Sequence, residues 1–359
     1  MEKSILTLNK LVPGMILAES ILSAHKQVIL EKNTELSSPL INRLRKWKIG
    51  SVCVRSPHTN RLSPCRDSRS LMTGTQNTNE FEEKYRNISI TAGSIFEYMR
   101  NQEQLPYDTF YQLAYHDLYN LIDDQTTLTY LYQLKTPLEY TYLHAVDVGI
   151  IAELIARWCG FKEKIVKSLI LAGLMHDIGK SQIPRPILDK PGQLNVDERA
   201  IIELHPVYGY YMVKSLSDIP PEIQYAILQH HERENGCGYP GGLHTHKIHP
   251  FAKVIAIADT YDAMTSNRIY KDSITPFAAL EILADELFTH FDREYCKIFI
   301  RNAISTLTGS TVLLSDETQA EVLHFGSFMS AKPAVMRFDG TFLDLNNTNV
   351  SIVEVVKFA

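Results

Sequence analysis

Eight of the thirteen histidines fall between His144 and His249. Imidazoles at that density, interleaved with carboxylates, are the donor set of a transition-metal site. The focal stretch is Leu171 to Lys180, LAGLMHDIGK, in which His176 and Asp177 are adjacent. Neighbouring residues on a helix point about 100° apart, so such a pair serves one metal centre only at a helix end or from two sides of an ion. An apolar run (Leu169, Ile170, Leu171, Leu174, Met175) leads up to the pair and Gly179 follows it. That pattern predicts a buried helix that stops just after presenting polar groups. Burying an imidazole beside a carboxylate is unfavourable unless each is hydrogen-bonded or ligates a metal.

The neighbouring helical faces repeat the theme. His144 shares a face with Val148 and Ile151, and His205 lies four after Ile201 and three after Ile202. His230 lies three after Ile227 with His231 beside it, and Asp259 closes the run Val254 to Ala258. Taken singly, each has a plain reading: a hydrogen-bonded core histidine, a helix cap, a surface pair at a helix end. Taken together, five inward imidazoles and two carboxylates on separate helices would need many separate hydrogen-bond partners, whereas helix bundles build metal sites from such sets. Seven donors exceed what one ion takes, a carboxylate can bridge two ions, and Asp177 is the natural bridge. Mixed nitrogen and oxygen ligation suits iron, manganese or zinc better than calcium or magnesium.

Cations and glycines surround the set. Lys180, four after His176, is expected on the same cavity, and Arg268 and Lys271 follow Asp259 by about two and three helical turns. Elsewhere each would be a solvated surface charge; beside two metals each is a candidate for gripping phosphate oxygens. The stretch Glu234 to Gly242, with glycines at 236, 238, 241 and 242 and a proline at 240, cannot hold a helix. Its position directly after His230-His231-Glu232 predicts a loop over the site entrance.

The elements that must position these residues follow from the rest of the chain. Its 359 residues suggest more than one domain, and 45% hydrophobic with 21% charged residues is ordinary for a globular protein. Residues 1–56 read as a small α/β domain, with strands at Val28–Leu30 and Ser51–Val54 and a helix starting at Ser37-Ser-Pro39. Residues 57–78 are polar and aperiodic, a linker. Residues 79–307 are helical almost throughout: Phe81–Asn101, Tyr107–Leu134, Val146–Cys159, Lys162–Met175, Glu198–Leu216, Pro221–His231, Phe251–Ser266 and Pro276–Leu307. Residues 308–359 form a short β-rich tail, with alternating or β-branched runs at Ser310–Leu314, Ala320–Phe325, Ala334–Phe338 and Val350–Val356. The expected fold is therefore mainly α, a helical bundle between a small α/β domain and a β appendage.

A net charge of -5 speaks against long nucleic acid as a partner but not against a small phosphate ligand held by metals. No apolar run approaches the roughly eighteen residues that a membrane helix needs, and residues 1–15 lack a secretory pattern. Five scattered cysteines with no CxxC pair read as reduced thiols of a cytoplasmic protein.

These strings together resemble the HD-GYP family of the HD phosphohydrolases: His176-Asp-Ile-Gly-Lys180, Ile183-Pro184, Ile187-Leu-Asp-Lys-Pro-Gly-Gln-Leu194, His205-Pro206, His230-His-Glu232, Gly236-Cys-Gly-Tyr-Pro240, Ala258-Asp259, and Tyr261-Asp-Ala-Met-Thr-Ser266 with Arg268, Tyr270 and Lys271. The resemblance covers about 125–305. It implies a metal-dependent phosphodiesterase that hydrolyses a cyclic dinucleotide, cyclic di-GMP or 3'3'-cyclic GMP-AMP, either to the linear 5'-phosphorylated dinucleotide or further to mononucleotides. Carried over by position, it puts His144, His176, Asp177 and Asp259 on one metal and Asp177, His205, His230 and His231 on the second, with iron or manganese as the expected ions. It implies Asp177 and Lys180 as catalytic residues and Lys180, Arg268 and Lys271 on substrate phosphate. Gly238, Tyr239 and Pro240 would shape the pocket and offer a surface for a diguanylate cyclase partner. Tyr140 stands where some members carry a glutamate for a third metal, so two ions are expected. Asn235, Thr245 and Ile269 depart from the usual aspartate, glycine and proline, which bears on loop shape and substrate preference. The rival readings are a non-catalytic cyclic dinucleotide receptor and a nucleotide phosphomonoesterase of the wider HD group.

Overall fold

A computed structural model describes residues 3–22, 28–30, 32–36, 40–41, 44, 51–55, 74–102, 105–121, 126–134, 140–216, 218–266, 273–287, 289–325 and 332–358. The protein is mostly helical, with strands at the two ends of the chain. Helix α1 spans Gly74–Gln102, so it begins inside the stretch expected as a linker. Helix α2 (Tyr107–Gln112) runs into a π-helical turn (Leu113–Leu118), and α3 is Thr127–Leu134. The single helix expected over 107–134 is thus divided.

Two helices form the centre: α4 (Tyr140–Trp158) and α5 (Glu163–Met175). They touch backbone to backbone, because a Cβ on Gly173 would lie 2.6 Å from the Gly149 Cα. Only glycine permits that approach. A 3-10 turn (Ile178–Gln182) follows α5, then the short α6 (Arg185–Leu188). The helix expected over Glu198–Leu216 is two: α7 (Val196–Ile202), opened by an Asn195–Glu198 capping box, and α8 (His205–Lys214). Pro206 explains the break, since proline has no N–H for the carbonyl four residues back and its ring clashes with it. Helix α9 is Pro221–Gln229, and α10 is Pro250–Thr265 with His249 as its N-cap. The expected final helix also divides, into α11 (Pro276–Glu286) and α12 (Arg293–Leu307). The Asp292 carboxylate caps α12 by accepting from the Glu294 and Tyr295 N–H groups, at 3.1 and 3.2 Å.

The strands form antiparallel sheets. Near the N-terminus β1 (Lys3–Thr7) and β2 (Ile16–Leu17) flank β5 (Ser51–Arg55), while β3 (Ile21–Leu22) pairs with β4 (Val28–Leu30). The helix start expected at Ser37-Ser-Pro39 lies outside the described residues. The C-terminal stretch is a five-stranded sheet in the order β10-β6-β7-β8-β9. Its strands are β6 (Thr311–Leu314), β7 (Gln319–Phe325), β8 (Pro333–Arg337), β9 (Phe342–Asp344) and β10 (Ile352–Lys357).

The alternation read from this tail turns out to have two buried faces. Val312, Leu314, Ala320, Val322 and Val335 join the core of the helical bundle. Leu323, Ala334 and Phe342, on the other face, share a second core with Leu11, Leu17, Leu36, Leu44, Val52 and Val54. The sheet is therefore a layer between the bundle and the N-terminal strands.

Candidate metal centre

Helix ends build this site. The α5 helix stops at Met175, leaving His176 as its C-cap and Asp177 just beyond, both buried. Gly179 was expected as the residue that stops the helix, but its φ is not positive. Its role is a close approach: a Cβ there would sit 1.9 Å from the His205 carbonyl oxygen and 2.5 Å from the Gly209 nitrogen. The bare backbone lets the His-Asp turn press on the start of α8 and brings His205 beside Asp177.

Three imidazoles are aimed the same way. His176 Nδ1 lies 2.7 Å from the Gly173 carbonyl, His205 Nδ1 2.8 Å from that of Ile202, and His230 Nδ1 2.8 Å from that of Ile227. Each carbonyl is one that a helix leaves unpaired where it ends. At Ile202 the cause is local, since Pro206 has no N–H to give it. With Nδ1 donating to the main chain, Nε2 carries the lone pair and faces inward.

The inward atoms converge on Asp177. Its Oδ2 lies 3.3 Å from His176 Nε2 and 3.7 Å from His144 Nε2, while its Oδ1 lies 3.1 Å from His205 Nε2 and 3.8 Å from His230 Nε2. Asp259 adds Oδ1 at 3.2 Å from His144 Nε2 and Oδ2 at 3.7 Å from His231 Nδ1. The donors fall into two groups, Asp177 with His205, His230 and His231, and His144 with His176 and Asp259; within each group the ligand atoms lie within 4.8 Å of one another.

The chemistry of these donors fits cations. His176 Nε2 is buried without a hydrogen-bond partner among the described residues. The Nε2 atoms of His205 and His230 face each other at 3.2 Å, although both rings donate through Nδ1. Lone pairs set against one another need a positive charge between them. The titration preferences agree for most donors. Burial would push the Asp177 carboxyl up, but the neighbouring His176 and Lys180 outweigh it and hold it well below the usual range. Asp259 is likewise held down against burial, chiefly by its hydrogen bond with His144. Burial keeps His230 well below its ordinary value and pushes His231 down to about 3, so both stay neutral and able to ligate. His144 is the exception: burial opposes its charged form, yet Asp259 and Asp262 outweigh burial and raise it to about 9.

The other expected site residues divide. Lys180 donates through Nζ to Asp177 Oδ2, with its side chain 27% exposed. The Tyr239 ring packs on His231, centroids 4.6 Å apart and tilted by 30°. Gly238 permits this, since a Cβ on it would lie 2.3 Å from the His231 carbonyl oxygen. Pro240 is exposed beside them. Arg268, Ile269 and Lys271 lie outside the described residues, and so does the side chain of Tyr140.

Two buried carboxylates were given no role from sequence. Glu232 accepts from the Gly241 and Leu243 N–H groups, at 2.6 and 2.7 Å, and so ties the glycine-rich loop to the His230-His231 corner. Asp262 contacts His144 Nδ1 at 2.7 Å. Its signal was its spacing three after Asp259, which puts both on one face of α10.

Comparison with known proteins supports the same class. The family described as HD domain matches residues 118–295, so the stretch that carries every donor is an HD domain. Among curated proteins it is similar to a cyclic di-GMP phosphodiesterase of Pseudomonas aeruginosa, 39% identical over 171 residues, which is 48% of this chain and 41% of that one. It is also similar to 3'3'-cGAMP-specific phosphodiesterase 1 of Vibrio cholerae, 32% identical over 166 residues, 46% of this chain and 38% of that one. The chain thus spans less than half the length of these relatives. Among solved structures it resembles a protein of Bdellovibrio bacteriovorus described as HDG"Y"P, with a TM-score of 0.52 over 83% of this chain and 98% of that one; at 15% identity the likeness is one of fold.

Proposed function

We propose that the chain is a two-metal phosphodiesterase that hydrolyses a cyclic dinucleotide, cyclic di-GMP or 3'3'-cyclic GMP-AMP, to the linear 5'-phosphorylated dinucleotide and on to mononucleotides. The observation that carries this reading is the division of Asp177, one oxygen toward His144 and His176 and the other toward His205 and His230. A buried carboxylate so shared would suit a pair of divalent ions. The activities named for the relatives from Pseudomonas aeruginosa and Vibrio cholerae support the substrate class.

In this reading His144, His176, Asp177 and Asp259 hold one ion and Asp177, His205, His230 and His231 the other, with iron or manganese suited to the mixed donors. The ions, when bound, supply Lewis acidity that makes water a nucleophile near neutral pH and neutralises charge on the phosphate oxygens. The chain's own residues do the rest. Lys180 swings from Asp177 to a non-bridging phosphate oxygen, where its charge counts most as the phosphorus becomes five-coordinate. Arg268 and Lys271 would contact substrate phosphate. Tyr239, which burial keeps protonated, roofs the His231 side and limits water to the reacting face. Attack forms a bond from water oxygen to phosphorus, breaks the bond from phosphorus to the 3'-oxygen, and leaves that oxygen protonated.

The catalytic unit in this account is 79–307, working in the cytoplasm, with the Gly238-Tyr239-Pro240 loop as the surface for a diguanylate cyclase. Incubating metal-loaded protein with cyclic di-GMP, 3'3'-cyclic GMP-AMP and a nucleoside monophosphate tests it by product identity. Linear dinucleotide from a cyclic substrate is expected. Inorganic phosphate released only from the monophosphate would identify a phosphomonoesterase, and binding without cleavage a receptor.

A further inference from the structure

His144 is held differently from the other imidazoles. His176, His205 and His230 sit at helix ends, where a main-chain carbonyl is free to take Nδ1. His144 lies inside the continuous helix α4, where the carbonyl three residues back is engaged by the N–H four residues on. Its Nδ1 turns instead to another helix and meets Asp262 Oδ2 at 2.7 Å. Asp262 is wholly buried, and its second oxygen accepts from Ser266 Oγ at 2.8 Å. Asp259, which faces His144 Nε2 at 3.2 Å, lies one turn earlier on the same helix. Thus α10 supplies a carboxylate to each nitrogen of one imidazole.

We propose that Asp262 is a positioning residue for the ion held by His144, His176 and Asp259, acting through His144 by fixing the ring and increasing its donor strength. This rests on the two-metal reading. The consequence is inequivalence: one group has Asp259 and a carboxylate-backed imidazole, while in the other His205 and His230 are oriented by neutral carbonyls. A carboxylate behind a ligating imidazole changes metal affinity by roughly 10–100-fold.

The test is a double-mutant cycle read by manganese(II) titration and by metal content after dialysis against chelator. Wild-type protein is expected to hold two ions. Asp262→Ala should weaken one of them by 10–100-fold and leave the other unchanged. Asp262→Asn, which keeps the acceptor oxygen and the volume, should fall between them and guards against misfolding of the alanine variant. In a His144→Ala background, Asp262→Ala should cause no further loss. Two ions of unchanged affinity in both Asp262 variants, or equal losses with and without His144, would overturn the proposal while leaving the two-metal reading intact. A wild-type protein that holds no second ion would overturn both.

Discussion

Asp177 has to be ionised, buried and shared, and its neighbours make that possible. His144 has the opposite problem. With its pKa raised to about 9, it carries a proton at pH 7 in the metal-free protein, and an ion can bind only after that proton leaves. Affinity of the His144 group should therefore rise about tenfold per pH unit from 7 to 9 and then level off. Calorimetric titrations in two buffers of different ionisation heat would count the proton released; none released at pH 7 would contradict the assignment. His230 and His231, held low by burial, add no such dependence in this range. Lys180→Ala should retain both ions and lower turnover by roughly 100-fold, the scale of losing one charged donor at a transition state; metal analysis beside a rate assay checks both halves. The donors were legible in sequence because an imidazole three or four residues from buried aliphatics declares its face. For Asp262 the spacing from Asp259 gave only its face, because its partner lies 118 residues away and no local pattern records a contact between helices.

At the level of elements, helix termination aims the site. The sequence showed where apolar periodicity runs, so α5, α9 and α10 were anticipated to within about two residues, whereas α4 starts six residues before the expected Val146. It did not show that Pro206 divides 198–216, or that the division frees the Ile202 carbonyl for His205. The residue was visible; its consequence depends on which carbonyl loses a donor. Gly179 was read as a stop signal and proves to be a contact. Gly179→Ala should push the His-Asp turn from α8, since its Cβ would overlap the His205 carbonyl oxygen at 1.9 Å. Overpacking of this kind costs about 1–3 kcal/mol or more. Thermal unfolding of the metal-free variant should show the loss of stability, and metal analysis the loss of the ion on His205, His230 and His231. Unchanged values for both would rule out the close approach as the reason for glycine.

For the whole molecule, the C-terminal sheet joins what composition separates. Alternation in β7 and β8 correctly indicated strands, but the pattern is blind to what covers each face. Here polar positions are few enough for both faces to be buried: Val322 against the bundle, Leu323 against the N-terminal strands. Leu323→Ala should cost about 2–5 kcal/mol and fall mainly on the N-terminal unit. Limited proteolysis should then cut within residues 1–56 first, with metal content unchanged. Loss of metal at the same rate as that cleavage would instead mean that the two cores open as one.

The pair of ions divided by Asp177 is tested most directly by a crystal of manganese-loaded protein, with anomalous scattering locating the metal. The account predicts two peaks flanking that carboxylate, one among His144, His176 and Asp259 and the other among His205, His230 and His231. A single peak, or two peaks that do not share Asp177, would contradict it.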